Sequence, residues 1–161
     1  MPSENPSETQ FKKKVLEKAL EIREYYDNPD VLASLLDNWD DEYGFKYNNI
    51  VEEVLSEHIK QTWAEKAEKR GSNTVEDLVA LLWNWPEAEF DIERKDRGIR
   101  VFCSKCPIAD TYRSLGKEQH GKLFHCMADT HICAGFNPKI KYEKKKCLMG
   151  GAECCKHYYT I

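Results

Sequence analysis

The chain has 161 residues, 41% of them hydrophobic and 32% charged, with a formal net charge of −4. That is apolar mass enough for a real core, in one domain or a small domain with a helical annex. No stretch nears the roughly 18 apolar residues of a membrane span, and the acidic balance argues against a general nucleic-acid binder.

The charge is unevenly spread. Residues 91–161 hold 14 basic and 8 acidic side chains, against 10 and 20 before them. All seven cysteines and four of the five histidines also lie after residue 91. The start, Met1-Pro2-Ser3-Glu4, has neither a basic n-region nor an apolar h-region, so no secretory leader is expected. With an odd cysteine count, this reads as a reducing, cytoplasmic setting, with thiols that are ligands, reactive groups or buried small hydrophobes.

Residues 1–8 are Pro/Ser/Glu-rich and are expected to be disordered. The region 9–86 reads as helices. Phe11, Val15, Ala19, Ile22 and Tyr26 recur at helical spacing until Asn28-Pro29 breaks the pattern. A second helix begins at Pro29-Asp30, turns Leu32, Leu36 and Trp39 inward, and stops near Gly44. A third runs from about Tyr47 to Arg70, with Gly71 as its stop. Thr74, with Asp77 three residues on, caps a fourth that Pro86 closes. The apolar stripes and Trp39, Trp63, Trp83 and Trp85 read as packing surfaces, and His58 as a solvated or structural histidine.

The region 87–161 reads as two hairpins around cysteine-bearing helices. Residues 89–94 and 99–103 alternate in polarity about the turn Lys95-Asp96-Arg97-Gly98. Residues 139–144 and 155–161 form a second alternating pair, with Gly150-Gly151 in the connection. Between the pairs, helices are expected over 107–115 and 122–133. The fold class is therefore α+β: a helical bundle, then a small antiparallel sheet of about four strands with a cysteine-bearing helix packed on it. On that helix Cys126, Asp129 and Cys133 share one face. Adjacent Cys154 and Cys155 must point to opposite sides of the sheet, and His157 shares the side of Cys155.

Cys106-Pro107-Ile108-Ala109, Gly116, Phe124-x-Cys126-x-x-Asp129 and Leu148-x-x-Gly151-x-x-x-Cys155 follow one another in an order that resembles the L-2-amino-thiazoline-4-carboxylic acid hydrolase family. The resemblance covers roughly residues 100–161, and the family's recurrent positions fall on Cys106, Cys126, Asp129, Gly151 and Cys155. It implies a hydrolase opening a cyclic amidine with water and a small-molecule substrate; from the charge and the lack of an apolar span, no nucleic-acid or membrane partner is expected. A homo-oligomer stays compatible with it. The extra thiols Cys103, Cys133, Cys147 and Cys154 stand outside the pattern.

Three chemistries follow. In one, Cys106, Cys126 and Cys155 hold a zinc ion that lowers the pKa of a bound water, and Asp129 acts as base. In another, Cys106 is a thiolate nucleophile at a helix start, with His125 or Asp129 as base. In the third, Cys103-x-x-Cys106 with Cys126 and Cys155 forms a closed zinc or iron–sulfur site in a non-enzymatic sensor module, zinc being the first choice of metal. Lys144, in the run Lys144–Lys146, reads first as a solvated charge and second as a partner for a substrate carboxylate.

Overall fold

The structure, a computed structural model, describes residues 6–161. Residues 1–5 of the expected disordered start lie outside the described residues, whereas 6–8 already belong to the first helix. That helix, α1 (Pro6–Glu24), buries Val15, Ala19 and Ile22 along one stripe. Next, α2 (Pro29–Glu42) opens where Asn28 Oδ1 accepts the Val31 amide at 3.2 Å, with Pro29 in the first turn. Proline costs little there, because its missing N–H would have had no helical partner.

The longest helix, α3 (Asn48–Arg70), turns Val51, Val54, Leu55 and Ile59 inward and ends at Gly71. Gly71 adopts φ +74°, a left-handed conformation that a Cβ would strain. A capping box between Thr74 and Asp77 starts α4 (Val75–Leu82). There the Thr74 hydroxyl accepts the Asp77 amide at 3.1 Å, and the Asp77 carboxylate accepts the Thr74 amide at 3.2 Å.

Four strands follow: β1 (Glu89–Lys95), β2 (Gly98–Lys105), β3 (Lys141–Lys144) and β4 (Cys155–Thr160). All pairs are antiparallel, in the order β1-β2-β4-β3. Polarity alternation sets the faces, so Cys155, His157 and Tyr159 are buried while Lys156 and Tyr158 turn outward. Register does the rest. Cys103 stands opposite Cys155, and Lys144 opposite His157.

Between the hairpins lie α5 (Pro107–Ser114), the single turn α6 (Glu118–Gly121) and α7 (Ala128–Phe136). The expected helix over 122–133 differs in form. The helical path begins at Glu118, passes through a π turn over Lys122–Cys126, and reaches Phe136. In the π turn the Met127 amide bonds back to the Lys122 carbonyl at 3.2 Å, one residue beyond α-helical reach. Two carbonyls of this stretch take side-chain donors: Phe124 O from Arg23 at 2.5 Å, and Cys126 O from Lys144 at 3.4 Å. The π turn thus ties α1 and β3 to the segment that carries Cys126.

Helix α7 packs on α3 with the backbones in contact. A Cβ on Gly135 would lie 2.3 Å from the Lys60 carbonyl oxygen, so only glycine fits. No helix among the described residues is long and apolar enough to cross a membrane.

Candidate active site

A cavity of about 280 Å³ opens between the inner face of the sheet, α7 and the helical region. Its floor is formed by Cys103, Cys155, His157 and Lys144 from the strands. Cys126, Asp129 and Ile132 come from the π turn and α7, and Cys106 and Ile108 from the start of α5. Arg23, Tyr26, Trp83 and Trp85 close the remaining side. Two wider, more open hollows, at Arg94–Gly98 and around Trp83–Asp91, gather no such set of thiols and charges. Trp83 and Trp85, expected to be core, are thus cavity walls, whereas Trp39 is core at 2% exposure.

The central contact is an ion pair. Lys144 Nζ lies 2.5 Å from Asp129 Oδ2, with both side chains about four-fifths buried. Burial works against the charge on Lys144, but Asp129 overcomes it and holds the ammonium above the ordinary lysine range. The expectation of a solvated Lys144 gives way to this contact. The hydrophobic face of β3 carries the lysine inward because it alternates with Glu143 and follows Tyr142 by two.

From Asp129 the polar contacts continue inward. Burial and the charge of Asp129 raise Tyr142, whose hydroxyl lies 2.7 Å from His157 Nδ1. Burial pulls His157 down to about 4, so its imidazole is neutral at neutral pH. His125 is also held neutral by burial, and its Nε2 lies 2.9 Å from the Tyr112 hydroxyl. Of the other late histidines, His120 is anchored to Asp40 at 2.7 Å and does not line the cavity.

The thiols divide into two kinds. Cys103 and Cys133 are buried at 1% exposure, and burial pushes each up to about 12. Cys133, expected on the same face as Cys126 and Asp129, does not line the cavity. Burial also raises Cys106. The amides of Ala109 and Ile108 at the start of α5 pull the other way without closing a hydrogen bond to the sulfur, and they lose. The thiolate expected of Cys106 is therefore disfavoured where it sits.

The second kind is a cluster that sequence reasoning missed. Cys147 is lowered from the usual thiol range by the neighbouring thiols of Cys126 and Cys155, with Lys144 adding to the effect. The Cys147 thiol, together with burial, raises Cys126 and Cys155, and Cys155 Sγ accepts the Leu148 amide at 3.2 Å. The three thiols thus shift one another, Cys147 downward and Cys126 and Cys155 upward. The available signal was the position of Cys147, directly after three lysines and eight residues before Cys155, but nothing local says that the chain doubles back there.

The residues expected to bear the chemistry, Cys106, Cys126, Asp129 and Cys155, all line this one cavity. Their arrangement does not suit a metal. Among the described residues no three His, Cys, Asp or Glu side chains stand where they could hold an ion. Neither the zinc set Cys106, Cys126 and Cys155 nor the four-thiolate set that adds Cys103 fits an ion or an iron–sulfur cluster.

Compared with known protein families, residues 30–159 match the family described as L-2-amino-thiazoline-4-carboxylic acid hydrolase. The match takes in α2 to α4 as well as the sheet, well beyond the stretch after residue 100 that carries the motifs. No curated protein and no solved structure matches the chain.

Proposed function

The chain belongs to the L-2-amino-thiazoline-4-carboxylic acid hydrolase family, and on that premise we propose that the cavity is the active site of a hydrolase opening a small cyclic amidine. The observation that carries this reading is the Lys144–Asp129 pair at 2.5 Å, set in the cavity wall beside the protonated thiols of Cys126 and Cys155.

The electrophile of such a ring is the carbon between nitrogen and sulfur. Lys144 holds the Asp129 carboxylate in one orientation, and Asp129 takes a proton from the attacking water. The oxygen bonds to the ring carbon, and the tetrahedral adduct collapses by breaking the ring bond to sulfur or to nitrogen. The leaving atom takes the proton that Asp129 drew from the water, which restores the carboxylate. Trp83, Trp85 and Tyr26 give the ring an apolar slot and keep bulk water from competing.

The test is Asp129→Asn, assayed by chromatographic loss of 2-amino-thiazoline-4-carboxylate. Turnover should fall at least about 100-fold, the usual loss with a general base, in a protein whose circular dichroism is unchanged. Wild-type turnover equalled by the variant would overturn the proposal.

A further inference from the structure

Arg23 is a cation that the chemistry above leaves unused. It lies on α1, before the family match begins at residue 30, and its side chain lines the cavity. One N–H is taken by the Phe124 carbonyl at 2.5 Å. Among the described residues no carboxylate comes within ion-pair distance of it, although Asp129 is near enough to act on its charge. Lys144 differs, being already engaged by Asp129 at 2.5 Å. The cavity therefore contains one cation that is matched and one that is not.

A guanidinium in that position is costly to desolvate and carries up to five donors in a planar fork. One donor braces the π turn, leaving most of the fork for a ligand. The natural complement is a carboxylate, whose two oxygens match the fork. The aromatic wall beside it, Tyr26 and Trp85, suits a compact planar body. The volume, just under the roughly 300 Å³ at which ligand pockets usually begin, limits that body to a small molecule.

We propose that Arg23 binds the carboxylate of the substrate and so sets the cavity's preference for small monoanionic rings. This deepens the hydrolase reading and, for the identity of the ring, rests on it. Arg23 is the specificity-determining cation, Lys144 serves Asp129, and the sequence-based pairing of Lys144 with the substrate carboxylate is replaced.

The experiment is binding to the full chain, read from the fluorescence of Trp83 and Trp85 with two pairs of probes. The first pair is 2-amino-thiazoline-4-carboxylate and the same ring without its carboxyl group. The second is benzoate and benzamide, which share no thiazoline. Wild type should prefer the carboxylate in each pair. Arg23→Met should weaken the carboxylates by about 10- to 100-fold, the worth of a charge-assisted pair, and leave the neutral probes unchanged. Arg23→Lys should restore part of the loss.

Equal weakening of charged and neutral probes in Arg23→Met would assign Arg23 to bracing the π turn and overturn the proposal. So would no weakening of either. Should wild type bind the benzoate pair with the expected preference but neither thiazoline, the anion site stands and the hydrolase reading falls.

Discussion

The ion pair between Lys144 and Asp129 is open to a quantitative test of its own. At 2.5 Å the bare attraction is about 6–7 kcal/mol in a surroundings of effective dielectric near 20. Desolvation of both groups offsets most of it. An exposed pair keeps about 0.2–1 kcal/mol, whereas removing one partner of a fully buried pair costs about 3–5 kcal/mol. These side chains keep 18% and 22% of their exposure, which places the pair nearer the buried limit. We therefore expect a coupling of about 2 kcal/mol from a double-mutant cycle of Lys144→Met, Asp129→Asn and the pair together.

Urea unfolding at pH 7 gives the four stabilities, of wild type and the three variants. Each single variant should be the less stable for leaving its partner's charge or polar group unmatched, and the double variant should recover much of the loss. Because the folded pKa of Lys144 is raised, its contribution is full below the unfolded lysine value and is lost only as pH climbs through the folded one. The coupling should thus be the same at pH 6 and pH 9. Additive single variants, with a coupling below about 0.5 kcal/mol, would refute the argument that this pair is a buried, matched unit.

His157 is buried and neutral, with its pKa lowered to about 4. Its unfolded form takes up a proton first, so stability should drop as pH falls from about 6.5 toward 4, by about 3 kcal/mol in all from this residue. His157→Gln should flatten that slope in urea titrations across the range, and an unchanged slope would contradict the assignment. Cys147 should be the first thiol alkylated by iodoacetamide at pH 7, with Cys103 and Cys133 last, as mapped by mass spectrometry. Cys126→Ala should slow the reaction at Cys147, since one of the two neighbouring thiols that lower it is gone. Gly135→Ala should destabilise the fold by about 1–3 kcal/mol, because its methyl group would press on the α3 backbone at Lys60. A neutral effect in thermal unfolding would mean that α3 and α7 separate freely.

Local chemistry in the sequence determined the elements of this protein. Asn28-Pro29, Gly71 and the Thr74–Asp77 box mark helix ends because caps and breakers act within a few residues. Alternation about Asp96-Arg97 and before Ile161 marks strands for the same reason, and it also fixed that Cys155 and His157 share a face. Ordered motifs pointed to Cys106, Cys126, Asp129 and Cys155.

Tertiary structure decided what those residues do to one another. A run of three lysines looks solvated until β3 pairs with β4 and turns Lys144 toward Asp129. Cys147 looks like a spare thiol until the chain folds back between Cys126 and Cys155. Arg23, about a hundred residues from the Phe124 carbonyl it touches, leaves no local trace of its place in the cavity. Spacing along a chain encodes which face a side chain takes, but charge pairing and proton affinity depend on distances that only packing sets.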